Sequence, residues 1–177
     1  HRTRIAKTGL PPGSLIHVGE RQTEAPRLTL MHYGAQGIRE EILSDIDGLT
    51  GPAAGTEEAT VTQEAKGVSW LHVEGLHDIA LMEKLGDRYH LHPLTLEDIL
   101  YTDQRPKMED YSSYVYVVLK SFSLSSGSLV SGPVGELAPE QISIVFGQDF
   151  LISFAERNSA LLVPIRERIR QGRGRIG

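Results

Sequence analysis

The chain has 177 residues, no cysteine and a formal net charge of -5 at pH 7. A chain of this length can bury a core of its own, and the lack of cysteine excludes both a disulfide framework and metal sites made of thiolates. The charge is uneven, because Glu156–Gly177 carries six arginines against two glutamates and leaves an acidic body, which disfavours nucleic-acid binding.

The N-terminal part of the chain predicts two strands and one short helix before a long connection. Ser14–Gly19 and Arg27–Tyr33 alternate apolar and polar residues between turn-forming residues, which is typical of strands. Ile38–Leu43 predicts a short helix. Ser44–Lys66 holds glycines and threonines but few large apolar groups, so we expect a long surface connection there.

A strand and two helices are predicted in the middle of the chain. Val68–Glu74 contains the only tryptophan and predicts a buried strand. Asp78 is a suitable N-cap for a helix that ends near Tyr89. Pro93 suits the first turn of a second helix, because its fixed φ and missing N–H are tolerated there.

Three strands and a final helix are predicted in the last third. Tyr114–Leu124, Gln141–Phe146 and Phe150–Phe154 are rich in β-branched and aromatic residues, and the short polar link between the last two predicts an antiparallel hairpin. Ser125–Pro139 is rich in serine, glycine and proline and predicts a flexible loop. Ser159–Arg170 has apolar residues at helical spacing.

The alternation of strands and helices predicts an α/β fold. Because one hairpin is antiparallel, we expect an α/β/α sandwich with a mixed parallel and antiparallel sheet flanked by helices. We expect residues 1–177 to form a single domain, with flexible loops at about 44–66 and 125–139 and the start of a helical region at about 159–177. No stretch approaches the roughly 18 consecutive apolar residues that cross a bilayer, so no membrane span is predicted.

The cluster with the most chemical content consists of His90, His92, Glu97 and Asp98. Adjacent carboxylates on a helix point about 100° apart, so they are poorly placed to chelate one ion but well placed for an interface with another chain. The residues alone favour a plainer alternative, in which the carboxylates are solvated helix charges and His92 supports the turn before Pro93.

Several segments together carry a family resemblance. Leu91–Leu100 has the sequence LHPLTLEDIL, Gln104–Lys107 is QRPK, and a strand rich in tyrosine and valine follows. This order resembles the cytoplasmic N-terminal domain of CorA-type magnesium channels. The resemblance extends to three further segments of that domain, namely Trp70–His77, Gln141–Phe154 and Arg166–Ile176. The family's stalk helix and two membrane helices are absent from this sequence.

The resemblance implies a regulatory role for the carboxylates of the LEDIL segment. The resemblance implies that Asp98 is the principal ligand, and Glu97 the second ligand, of an Mg²⁺ ion held weakly between subunits. Co²⁺ or another divalent cation can take the place of this Mg²⁺. The facing acidic partners are expected beyond Gly177. The resemblance also implies a non-enzymatic domain of a homopentameric magnesium channel, which lies on the cytoplasmic face of the inner membrane and gates ion flux.

Other functions stay open at this point. The chain could belong to a related transporter of Zn²⁺ or another divalent ion, or be a free-standing binding module or enzyme with the same fold. His72 and His77 are five residues apart, which argues against a zinc site on one helical face, and no nucleotide-binding or nucleophile-elbow motif is present. Arg105 and Lys107 either pair with acidic groups near the helix or form a simple turn.

Overall fold

The structure, a computed structural model, describes residues 9, 11–18, 23–34, 37–49, 67–124, 137–148 and 150–172. These residues contain seven β-strands, three α-helices and one short 3-10 helix. In chain order they are β1 (Arg27–Gly34), β2 (Gly37–Leu43), the 3-10 helix (Ile46–Gly48), β3 (Gly67–Glu74), α1 (Ile79–Tyr89), α2 (Pro93–Leu100), β4 (Lys107–Asp110), β5 (Val115–Leu124), β6 (Leu137–Phe146), β7 (Phe150–Ala155) and α3 (Leu162–Arg170).

All seven described strands form one sheet in the spatial order β2-β1-β3-β7-β6-β5-β4. β3 and β7 run parallel near its centre, with Leu71 opposite Ile152. The other neighbouring pairs of these strands are antiparallel, including the hairpin of β6 and β7. The predicted mixed sheet is therefore confirmed.

The helices cover both faces of this sheet. Leu71, on β3, packs in a core with buried residues of α1 and α2, such as Leu85 and Ile99. Its neighbour Trp70 packs in a second core with Leu162 of α3. Because successive residues of a strand point to opposite faces, α3 lies on the face opposite to α1 and α2, and the predicted α/β/α sandwich is confirmed.

The two middle helices begin where the sequence predicts. The side chain of Asp78 accepts a hydrogen bond from the backbone N–H of Leu81 at 3.0 Å, which caps α1. Pro93 occupies the first turn of α2, and His92 caps this helix by accepting from Leu94 N–H at 3.2 Å. Local capping residues thus define this helical pair.

The helix predicted at Ile38–Leu43 is wrong, because this segment is β2. It pairs with β1 from Leu28 opposite Leu43 to Gly34 opposite Gly37. The polar residues of β2 are tolerated because the strand lies at the edge of the sheet and is largely exposed. Pairing with β1 therefore outweighs the local helical preference.

The strand predicted at Ser14–Gly19 is also wrong in its described part. Residues 14–17 form no regular element, and Val18 makes only an isolated bridge with Tyr101. The backbone N–H of Val18 donates to the carbonyl of Leu100 at 3.0 Å. The segment therefore attaches to the end of α2 and not to the sheet.

The two predicted loops are only partly described. Residues 50–66 of the first loop and 125–136 of the second lie outside the described residues. Residues 137–139 belong to β6, so the second predicted loop extends too far. Pro139 pairs with Phe122 on one side, while the register with β7 begins only at Ile142, so its missing N–H breaks no hydrogen bond with β7.

Candidate functional site

α2 holds both candidate carboxylates on a short helix with one buried face. The buried residues of this helix are Thr95, Leu96, Ile99 and Leu100. The hydroxyl of Tyr114 accepts a hydrogen bond from the His92 backbone N–H at 2.9 Å and lies 2.9 Å from the Thr95 hydroxyl. Glu97 and Asp98 lie on the half-buried flanks of the helix. Packing therefore fixes the backbone from which both carboxylates project.

The two histidines of the predicted cluster are the cap residues of α1 and α2. His90 is exposed and adopts a φ of 50° where α1 ends. His92 caps α2, and its ring stacks on Tyr111 with the ring centroids 5.7 Å apart. Each histidine therefore has a structural role of its own.

Asp98 is held by side chains from the segment that follows α2. Its Oδ1 accepts from Gln104 Nε2 and its Oδ2 accepts from Lys107 Nζ, both at 2.5 Å. Lys107 Nζ also donates to Glu109 Oε1 at 2.8 Å. The pairing of Lys107 with an acidic group, one of the two alternatives predicted from the sequence, is thus the one observed.

Sequence reasoning missed Glu109, and β4 is the reason. Lys107 and Glu109 lie opposite Val118 and Tyr116 of β5, so both side chains project from one face of β4. The alternation within KMED was the available signal, but the segment is short and charged, and such residues are depleted in strands. Lys107 is therefore the first residue of a strand, which the alternative of a simple turn did not include.

Gln141 fixes the loop that carries Gln104. Its Oε1 accepts from the Gln104 backbone N–H at 2.9 Å, and its Nε2 donates to the Asp98 carbonyl at 3.3 Å. Gln141 is buried, whereas its partners Gln104 and Asp98 are half-buried. A residue of β6 thereby holds the end of α2 and the following loop in a fixed relation.

Electrostatics within this cluster favour the charged forms. Burial by itself would lower the pKa of Lys107, but the hydrogen bonds with Asp98 and Glu109 outweigh it and raise the pKa above its usual value. The hydrogen bond from Lys107 lowers the pKa of Glu109, partly opposed by burial. Near neutral pH, Lys107 therefore stays protonated and Glu109 stays ionised.

Glu97 contacts a different part of the chain. Its Oε2 accepts a hydrogen bond from the Gly13 backbone N–H at 2.6 Å. The same N-terminal segment is also tied to the end of α2 by the Thr102 hydroxyl, which donates to the Val18 carbonyl at 3.2 Å. Glu97 and Asp98 therefore do not form a chelating pair. Their adjacent positions on one helix, about 100° apart, predict this separation.

The carboxylates near Asp98 could supply only some of the ligands of a magnesium site. In the part of the chain that the structure describes, no three His, Asp or Glu side chains are grouped so that they could hold a metal ion. Mg²⁺, however, keeps several waters and is often held by only one or two carboxylates of a protein. Asp98 can supply such a carboxylate, and the remaining ligands would have to come from elsewhere.

A second polar cluster on the α3 face resembles a catalytic triad but is closed to substrate. The Ser153 hydroxyl lies 2.8 Å from His72 Nδ1, and His72 Nε2 lies 3.4 Å from Glu74 Oε1. All three residues are buried, and Trp70 Nε1 also donates to the serine hydroxyl at 2.8 Å. Burial lowers the pKa of His72, although Glu74 opposes this. His72 is the packing histidine that its position in a strand predicts.

Solved structures share this fold. The full-length CmaX protein matches with a TM-score of 0.60 and 18% identity, covering 88% of this chain and 42% of that one. The ZntB cytoplasmic domain from Vibrio parahaemolyticus matches with a TM-score of 0.56 and 15% identity, covering 85% of this chain and 52% of that one. At these identities the likeness shows the α/β/α fold alone.

None of the helices in the described ranges is long and apolar enough to cross a membrane.

Sequence relatives identify the family. A family model described as CorA-like Mg²⁺ transporter protein matches residues 65–177. The cobalt/magnesium transport protein CorA of Thermotoga maritima is 32% identical over 171 residues, which are 97% of this chain and 44% of that protein. The chain therefore belongs to the family of CorA-like Mg²⁺ transporter proteins, a family of transporters and not of enzymes. It spans less than half the length of the Thermotoga relative.

Proposed function

We propose that this chain is the cytoplasmic regulatory domain of a magnesium channel, in which a divalent cation held between subunits at Asp98 and Glu97 restrains ion flux. The observation that carries the proposal is the partial exposure and fixed position of the Asp98 side chain. Its side chain is 22% exposed and is positioned by α2 and its neighbours, in a chain that is 32% identical to a cobalt/magnesium transport protein. A half-buried carboxylate in a fixed position can face a second subunit.

The physical basis is charge repulsion across a subunit boundary. Bound Mg²⁺ supplies positive charge between carboxylates that otherwise repel. Asp98 would be the principal ligand, and it would share the ion with acidic side chains of a neighbouring copy in a homopentamer. Without the ion, Asp98 repels those side chains and loosens the closed assembly, which shifts the population toward conducting states.

Glu97 is proposed as the second ligand. Its carboxylate already accepts a hydrogen bond from Gly13, but each carboxylate oxygen has two lone pairs and can accept more than one contact. Carboxylates that keep such protein contacts and share a hydrated ion bind it weakly. Weak binding suits a sensor of cellular magnesium, and Co²⁺ would occupy the same position.

The test uses Asp98→Lys in the full-length gene product. We expect this change to abolish the protection that Mg²⁺ gives the domain against protease, because the new ammonium group repels the ion. Digestion over a series of Mg²⁺ concentrations measures the effect. Asp87→Lys, at an exposed position on α1, makes the same charge change elsewhere and should behave as wild type. Unchanged protection in Asp98→Lys would remove this residue from the sensor.

A further inference from the structure

We propose that Lys107 is a tethered cation that occupies the position beside Asp98 and must be displaced before a divalent ion binds there. It thereby sets the ion concentration at which the site fills. This inference rests on the proposed function, because it takes Asp98 to be a ligand of the regulatory ion. It adds a residue of opposite charge, which opposes the binding of the ion.

The surroundings of the Lys107 ammonium group resemble those of a bound cation. Its Nζ lies 2.5 Å from Asp98 Oδ2, 2.8 Å from Glu109 Oε1 and 5.6 Å from the centre of the Tyr116 ring. The two carboxylate oxygens that flank it are therefore no more than about 5 Å apart, whereas two oxygens on opposite sides of one Mg²⁺ are about 4 Å apart, so the pair would close slightly around an ion. The ammonium group fills the place where these carboxylates would hold an ion.

The fold keeps Lys107 in this place. β4 pairs with β5 so that Lys107 lies opposite Val118 and Glu109 opposite Tyr116, whose side chain is buried. The Tyr111 hydroxyl donates to Glu109 Oε2 at 3.1 Å and orients that carboxylate. Because the ammonium group is attached to a paired strand, its effective concentration at Asp98 is high whatever the ionic composition of the solvent.

Displacement follows from charge. An ammonium group and a divalent ion within a few ångströms repel each other, so they do not share Asp98 at low cost. An ion that binds Asp98 must therefore move Lys107 toward Glu109 alone or into solvent, which its 27% exposed side chain can reach. A divalent ion can compete with the lysine through its higher charge. Removal of the lysine should leave the Asp98 and Glu109 carboxylates to attract the ion together.

The test compares lysine substitutions in the full-length gene product. We expect Lys107→Met to lower the Mg²⁺ concentration for half-maximal protease protection by about tenfold or more, because a competing charge a few ångströms away is lost. Methionine retains an apolar stem over Tyr116. Lys120→Met is the matched control, since the Lys120 ammonium group contacts Asp103 and the Thr102 carbonyl instead of Asp98. Its midpoint should stay within about twofold of wild type.

The outcomes separate the two proposals. Equal midpoints in Lys107→Met and Lys120→Met would overturn the role of Lys107, while the effect of Asp98→Lys decides the role of Asp98 independently. If Lys107→Met does not fold, Lys107→Gln removes the charge and keeps a hydrogen-bond donor. A midpoint equal to wild type in that folded variant would overturn the inference as well.

Discussion

At the scale of single residues, the two candidate carboxylates differ in what an ion would have to replace. Asp98 is held by the side chains of Gln104 and Lys107, which can rotate away. Glu97 accepts from the Gly13 backbone N–H, and losing that contact would leave a half-buried donor without its partner. Asp98 is therefore the carboxylate that can exchange its partners at lower cost.

Gly13 provides a prediction at this scale. Its φ is +84°, and a Cβ atom there would lie 3.1 Å from the Cβ of Pro93. We expect Gly13→Ala to lower the free energy of unfolding by about 1–2 kcal/mol, because alanine is strained at positive φ and crowds the start of α2. Urea unfolding followed by circular dichroism measures this change.

Gly172 offers the matched control for the Gly13 substitution. Its φ is +62°, and nothing lies within 4 Å of a Cβ built there, so Gly172→Ala carries the backbone strain without the crowding. The cost of Gly13→Ala should exceed that of Gly172→Ala. Equal costs would show that contact with Pro93 contributes nothing.

At the scale of elements, two arginines fasten α3 to the sheet. Arg170 forms a bidentate pair with Glu40 of β2, with both N–O distances 2.7 Å. Arg166, one helical turn earlier, has a nitrogen 3.8 Å from Glu74 Oε1 on β3. Because these residues are four apart, both arginines project toward the sheet from one side of the helix.

The attachment of α3 should depend on pH. The hydrogen bond from Arg170 lowers the pKa of Glu40, and the nearby His72 imidazole lowers that of Glu74. A carboxylate whose pKa is lowered by folding stabilises the fold above its unfolded pKa, and this contribution is lost as the pH falls through the folded value. Hydrogen exchange of α3 amides, corrected for the intrinsic pH dependence, should therefore rise relative to that of β7 as the pH drops below about 4.

Glu40→Gln should reproduce part of this loss at neutral pH. We expect the exchange-derived stability of α3 to fall by about 0.5–1 kcal/mol, because the pair is partly exposed and bidentate. Glu41→Gln is the control, since Glu41 pairs with Arg39 within β2 and not with α3. Equal α3 exchange in the two variants would contradict the account of this attachment.

The elements that the sequence predicted are those with local signals. Asp78 and Pro93 mark the starts of α1 and α2 through capping and a fixed φ, which depend on neighbouring residues only. β2 and β4 carry many charges and become strands because they pair with β1 and β5. Both pairings are local, from Gly34 opposite Gly37 and from Asp110 opposite Val115, but neither strand has the regular apolar alternation that predicts one. For this reason β2 was predicted as a helix and β4 was missed.

The sequence likewise predicted only those residues of the candidate site that have a local signal. Glu97 and Asp98 were singled out by their adjacent positions and by the LEDIL resemblance, and both are half-buried on α2. The role of Lys107 stayed open and Glu109 was missed, because their meeting with Asp98 depends on the register of β4 against β5. Local sequence therefore indicates the carboxylates of this site, and tertiary structure supplies their counter-ion.

At the scale of the whole molecule, the candidate site and α3 lie on opposite faces of the sheet. The strands between them are tightly packed, with Val73, Ile152 and Phe154 fully buried. Close-packed cores deform little, so we expect a change at Asp98 to move the domain as a rigid body. We therefore expect regulation to act through the contact between subunits and not through a rearrangement of the sheet.

The most direct measurement is a crystal structure of the full-length assembly soaked with Co²⁺, recorded at the cobalt absorption edge. Because cobalt scatters anomalously, its position is found independently of the surrounding model. The account predicts an anomalous peak in coordination range, or one water away, of the Asp98 carboxylate, with an acidic side chain of a neighbouring subunit on its other side. A structure in which Asp98 points into bulk solvent, far from any other subunit and from any cobalt peak, would contradict it.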